Sequence, residues 1–159
     1  MKFKIEASGK MISAALVKNL EQQILTAVKT QTEMANTHIK ERTRAGKDAD
    51  DMEFTEYSES YKEYRIRKGR DVKPVDLIFT GRMSRAQKTR VKETKKNVTG
   101  ELYFNSANEA KKAKYLIEGR KRESDGVQNA RNFFAFGKTL TNRIINALAD
   151  MIDISKANK

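Results

Sequence analysis

Apolar and charged residues alternate at the start of the chain, with Phe3, Ile5 and Ala7 set against Lys2, Lys4 and Glu6. This period of two predicts a short strand closed by Ser8-Gly9. From about Lys10 to Arg44 the period lengthens. Ile12, Leu16, Leu20, Ile24 and Val28 recur every four residues, and Ala15, Ala27, Ala35 and Ile39 widen the stripe. The pattern predicts a helix of about 50 Å at 1.5 Å per residue, ended by Gly46. A stripe that long must be covered by a sheet, by the last helix or by a neighbouring molecule.

Lys47 to Glu56 is polar and acidic and reads as a loop. Ser58 is placed to cap a helix running through Gly69, with Glu59 in its first turn, basic residues near its end, and Tyr57, Tyr61 and Tyr64 on one face. The stretch Pro74–Ser84 holds the only proline, an apolar run Leu77-Ile78-Phe79, and Gly81. Proline fixes its own φ and Gly81 permits a sharp change of direction, so this stretch is expected to act as an architectural hinge without chemistry of its own. Ala86–Thr94 and Val98–Ser106 read as two strands joined at Lys95-Lys96-Asn97, with Leu102 and Phe104 on one face and Tyr103 on the other. Ala107–Gly119 reads as a short helix and Arg120–Asn129 as a charged, mobile loop. A final helix carries Leu140, Ile144, Leu148 and Ile152 at every fourth position. The expected class is α+β: a small antiparallel sheet packed against a long N-terminal helix, with a C-terminal helix, in one domain over residues 1–159.

Composition sharpens this picture. With 38% hydrophobic and 34% charged residues, the core is lean for the chain's 159 residues, and long solvated faces or burial against neighbours are expected. The absence of cysteine removes disulfides, thiolate metal sites and thiol nucleophiles. No apolar run approaches the roughly 18–20 residues that span a bilayer, so no membrane partner is expected, and the N-terminus lacks the apolar core of a signal peptide. The formal charge is +12, and Arg85–Arg122 holds 12 Lys/Arg against 4 Asp/Glu. Asp48–Glu63 is dominated by acids. Opposed charge stripes suit association with other copies as well as with an anionic partner.

Candidate chemistry is sparse. His38 is the only histidine and has no cluster of ligands at metal-binding spacing. Asp48, Asp50 and Glu59 fall at positions 1, 3 and 12 of a calcium loop, but Met52 and Glu53 occupy its fifth and sixth positions, where a ligand and the turn glycine belong. None of Ser58, Ser60, Ser84, Ser106 and Ser124 lies in a glycine-flanked nucleophile elbow. The glycines are too scattered for a phosphate loop. No catalytic residue, cofactor or metal is therefore expected. The hairpin at residues 85–96 is the one nucleic-acid candidate: Arg85, Lys88, Arg90 and Lys92 alternate as residues following a phosphate backbone do, although no helix reads as a base-recognition helix.

Four segments, in order, resemble the virion-morphogenesis, minor-tail and neck proteins of long-tailed bacteriophages. The acidic stretch from Gly46 through Asp48, Asp50 and Asp51 to Phe54, followed by Tyr57-Ser58 and Tyr61, is similar to a Gly-x-Asp-x-Asp-Gly pattern leading into an aromatic and a Ser-x-x-Tyr helix start. Asp76-Leu77, Thr80-Gly81 and Met83 resemble an Asp-Leu … Thr-Gly-x-Met signature. Tyr115 to Gly119 resembles a Tyr-Ala … His-x-x-Gly segment, with Glu118 near the histidine. Arg131 and Phe133 resemble Ala-Arg-Pro-Phe, with Asn132 at the proline. The resemblance covers about residues 46–155.

The resemblance implies a non-enzymatic subunit of the virion's head–tail junction. Such a subunit would join or complete a ring with itself, next to head-completion or connector proteins and tail-tube or tail-terminator proteins, with genome DNA passing through. It marks Asp76, Leu77, Thr80, Gly81, Met83, Gly119, Arg131 and Phe133 as structural positions. The expected subunit contacts pair Asp48, Asp50, Asp51, Tyr57 and Tyr61 with Lys95, Lys96, Arg120, Lys121 and Arg122 of a neighbour.

Overall fold

A computed structural model describes residues 2–6, 14–122, 126–128 and 130–152, with side chains described for 14–119 and 130–152. Ala7–Gly9, the expected first helical turns through Ile12, and Ser124 lie outside these residues. In order the elements are β1 (Lys2–Glu6), α1 (Ala14–Arg44), α2 (Glu59–Arg67), α3 (Arg82–Ala86), β2 (Gln87–Glu93), β3 (Asn97–Phe104), α4 (Ala107–Glu118), β4 (Arg120–Arg122), β5 (Gly126–Gln128) and α5 (Lys138–Met151). The fold is α+β, as the periodicities predict.

The main sheet is antiparallel in the order β1-β3-β2, so β3 is the central strand. Thr89 pairs with Leu102 and Arg90 with Glu101, while Ile5 pairs with Val98. This register puts Val91, Val98, Leu102 and Phe104 on the face toward α1, with Lys88, Arg90, Lys92 and Tyr103 on the opposite face. The turn between β2 and β3 is closed by reciprocal backbone hydrogen bonds between Thr94 and Asn97, leaving Lys95 and Lys96 at its tip.

Helix α1 packs across the inner sheet face and against α5. Ile24, Ala27, Val28, Ala35 and Ile39 meet Val98 and Leu102 from the sheet and Leu140, Ile144 and Leu148 from α5. Burial begins at Ile24, and the upstream stripe members Leu16 and Leu20 are only half-buried. The buried face also includes polar residues that periodicity does not flag: Gln31, Thr32, Arg42 and Thr43. Thr32 and Thr43 satisfy themselves by donating to the carbonyls of Val28 and Ile39, four residues back.

A second apolar cluster lies beyond the sheet edge. Phe54, Tyr57, Val75, Ala113 and Phe133 form it, with Leu77, Met83, Phe104, Leu116 and Ile117 packed around them. It joins α4 to three irregular segments. Phe134 touches both clusters, its ring 4.8 Å from that of Phe104.

Three local expectations are corrected. The Pro74–Ser84 hinge runs into the one-turn helix α3, so Ala86 ends a helix and the strand begins at Gln87. Ser58 holds the position before α2, but its side chain makes no capping bond there and lies 3.4 Å from the Ser60 hydroxyl instead. Arg120–Asn129 is not all loop: β4 and β5 pair antiparallel, Lys121 opposite Val127.

Candidate functional site

The four segments that resemble the phage proteins converge on one junction, organised by three buried arginines. Arg65, on α2, is 2% exposed. Its Nε donates to the Asp71 carbonyl at 2.7 Å, Nη1 to the Ile78 carbonyl at 3.0 Å and to the Tyr57 hydroxyl at 3.3 Å, and Nη2 to Asp76 Oδ1 at 3.2 Å. Asp76 Oδ1 also accepts from the Ile78 amide at 2.9 Å. The Tyr57 hydroxyl in turn accepts from the Leu77 amide at 3.1 Å. A planar, always charged guanidinium with five donors suits such a set of fixed acceptors, and a lysine would not.

Arg131 reaches the same place from the segment before α5. It donates from Nη2 to the carbonyls of Thr55 and Glu56, and its own amide donates to the Leu116 carbonyl at 2.7 Å. The guanidinium carbons of Arg65 and Arg131 lie 4.8 and 5.7 Å from the Tyr57 ring centroid, within cation–π range. Burial pushes the Tyr57 phenol up to about 12, and the Arg65 charge opposes that rise.

Arg42 does comparable work on the other side of α1's last turn. Its Nη2 donates to the carbonyls of Phe133 and Ala135, each at 3.0 Å, and Nη1 to that of Ala49 at 3.4 Å. The Ala49 amide donates to the Asn132 carbonyl at 2.9 Å. The acidic loop is thus fastened to the segment that precedes α5. Within the loop, Asp48 Oδ1 accepts from the amides of Asp50 and Met52 at 2.9 and 3.0 Å. Asp51 adopts a left-handed φ of 62°, at the position where the resembling pattern carries glycine.

Between α1, the 76–84 segment and α4 lies a half-open cavity of about 260 Å³. Leu77, Met83, Leu116 and Phe133 give it apolar walls, and Lys40, Arg82, Lys112 and Glu109 are its charged members. Lys112 pairs with Glu109 at 2.8 Å. Lys40 donates to the Gln87 carbonyl at 3.3 Å, and burial, then the charges of Lys88 and Arg44, lowers its pKa. The sequence reading placed no cavity here.

Of the positions marked by the resemblance, Asp76, Leu77, Met83, Arg131 and Phe133 meet at this junction and cavity. Gly81 (φ 69°) starts α3 and Gly119 (φ 73°) ends α4, both in conformations that favour glycine. The Thr80 carbonyl accepts from Arg85 Nη2 at 3.0 Å.

The expected contact residues divide. Tyr57 is 8% exposed, and its hydroxyl is committed inside the subunit, so it has almost no surface to offer a neighbour. Tyr61 is half-buried in an aromatic row with Tyr57, Tyr64 and Phe79. The Asp48 carboxylate is held by its own loop. Asp50, Asp51, Lys95 and Lys96 are exposed. For Arg120, Lys121 and Arg122 the backbone pairs in the β4–β5 ribbon, and their side chains lie outside the described residues.

The basic hairpin is also altered. Arg85 belongs to α3, not to the strand. Lys88, Arg90 and Lys92 do share the outer sheet face, but Arg90 (2.5 Å) and Lys92 (3.2 Å) both pair with the buried Glu101 carboxylate. Arg90 also lies over the Tyr103 ring. Lys88 is exposed. The half-buried His38 imidazole is held below its ordinary value by desolvation first, then by Arg42 and Arg143.

The residues sequence reasoning missed are Arg42 and Arg65. Each lies among other charges on a helix, and only the absence of a nearby carboxylate at helical spacing would have hinted that it faces inward. Among the described residues, no helix is long and apolar enough to cross a membrane. No protein-family model, curated protein or solved structure matches the chain.

Proposed function

We propose that this chain is a structural subunit of a tailed-phage virion, placed at the head–tail junction, where it forms or joins a ring that connects head to tail or completes the tail. The observation that carries the reading is the convergence of Tyr57, Asp76, Leu77, Arg131 and Phe133, drawn from three of the four resembling segments, with Leu116 of the fourth packed beside them. Residues far apart in sequence that lock one junction behave as a set, as the ordered motifs require. The work of such a protein lies in its surfaces. Head-to-tail contacts between identical subunits close a ring when the rotation per subunit fits, and the partners are other copies, connector or head-completion proteins, and tail-tube or terminator proteins.

Negative-stain images of particles assembled without the protein test this reading. Filled heads and tails that accumulate unjoined, or tails of aberrant length, are expected. Normal joined particles overturn it.

A second reading, contact with nucleic acid, draws on the outer sheet face, where Lys88, Arg90 and Lys92 lie in a row beside Tyr103. The pairing of two of them with Glu101 weakens it, because a neutralised cation releases few counterions from DNA.

A further inference from the structure

The acidic loop and the cavity carry opposite excess charge, the cavity lining holding Lys40, Arg82 and Lys112 against Glu109. Met52 follows the turn at residues 49–51 and has 66% of its surface exposed, the most of any large apolar residue among those described. Asp50, Asp51 and Glu53 surround it, all exposed, and none has an ion-pair partner among the described residues. The loop is braced from within: the Asp48 amide donates to the Met52 carbonyl at 2.8 Å, Lys47 and Glu53 form a β-bridge, and Asp48 holds two further amides. An apolar knob presented on a braced loop loses little freedom on docking.

The cavity offers the opposite surface. Its walls are Leu77, Met83, Leu116 and Phe133, and Lys40 and Arg82 at its margin have no acidic partner among the described residues. About 260 Å³ falls below the roughly 300–1,000 Å³ of small-molecule sites and leaves room for an inserted side chain. Methionine adapts readily to such a space.

Resting on the ring reading above, we propose that Met52 of one copy inserts into the 77–83/α4 cavity of the next, with Asp50, Asp51 and Glu53 meeting Lys40 and Arg82. The contact is heterologous, the loop of one copy against the cavity of the next, and a contact of that kind can propagate around a ring. It is an alternative to the expected pairing of the acidic loop with Lys95 and Lys96 at the hairpin tip, both of which are exposed.

The chain has no cysteine, so the contact can be trapped by paired cysteine substitutions in the intact 159-residue chain. Met52→Cys combined with Ser84→Cys, oxidised at high concentration, should give a ladder of covalent multimers. Met52→Cys with Lys95→Cys at the hairpin tip should not. Lys40→Glu should weaken self-association by about tenfold, and Asp51→Lys should restore it. Equal cross-linking by the control pair, or a disulfide within single chains only, overturns the contact. Multimers by sedimentation that never cross-link overturn the contact while leaving the ring reading in place. A protein that neither multimerises nor cross-links also overturns the contact, and the particle images then decide the ring reading separately.

Discussion

Arg65 donates to Asp76 at 3.2 Å, from a position where the arginine is 2% exposed and the carboxylate's side chain 27% exposed. Removing one member of a buried pair leaves an uncompensated charge, at a cost of about 3–5 kcal/mol. Arg65 would retain two carbonyls, so Asp76→Ala is expected to cost about 3 kcal/mol, the low end of that range. Urea unfolding of the two proteins measures it, and a loss under about 1 kcal/mol would show the pair to be no stronger than a surface ion pair. Arg65→Lys is expected to be nearly as damaging, because one ammonium cannot reach acceptors placed for a planar fork.

Gly137 lies directly against the acidic loop. A Cβ built on it would fall 1.7 Å from the Ala49 carbonyl oxygen, and its own φ of −70° is ordinary. The requirement is therefore closeness alone. Gly137→Ala should cost at least about 2 kcal/mol through forced separation of the two backbones. At Gly69, with φ 62° and open space around it, the same change should cost only about 1–2 kcal/mol of left-handed strain. Thermal unfolding of both variants, side by side, separates the two causes.

Tyr57 makes stability depend on alkaline pH. Its phenol is held up at about 12 against an ordinary 10, with burial the main cause. A group whose folded value is raised lends stability that is complete below its unfolded value and is lost as pH rises through the folded one. Denaturant midpoints should therefore fall between about pH 10 and 12, and Tyr57→Phe should flatten that part of the profile. An unchanged slope in the variant would assign the alkaline loss to other groups.

Glu101 decides how cationic the outer sheet face is. Glu101→Gln removes the carboxylate that engages Arg90 and Lys92. Retention on immobilised duplex DNA at low salt should then rise, with a salt slope steeper by about 1–2, one for each cation freed toward phosphate. If retention is the same in both proteins, that face does not meet nucleic acid.

The apolar skeleton is readable from periodicity because it obeys simple periods. Ile24, Val28, Leu140, Ile144 and Leu148 lie one helical turn apart, and β2 and β3 alternate. The junction follows no period. Arg42 and Arg65 are bound mainly to carbonyls of chain segments 6 to 93 residues away, and a carbonyl carries no side-chain signature. The resemblance pointed to Asp76, Arg131 and Phe133, but not to the arginines that hold Asp76 and the 133–135 backbone. Tyr57 shares a face at helical spacing with Tyr61 and Tyr64, which suggests a contact with a neighbouring subunit. In space its neighbours are two guanidiniums. The cavity was missed because its walls come from α1, α3, α4 and the segments before α3 and α5, none of which reads as concave alone.

Leu77 offers a last lesson. At φ 54° it sits where an L-residue other than glycine is at a disadvantage of about 1–2 kcal/mol, its amide tied to the Tyr57 hydroxyl and its side chain facing the cavity. An engineer seeking a tougher protein would try Leu77→Gly first, and would ease the backbone while hollowing out the wall proposed to receive Met52 of the next copy. On that proposal thermal robustness and docking pull in opposite directions at this single position, and a stabilised variant that no longer assembles would be its signature.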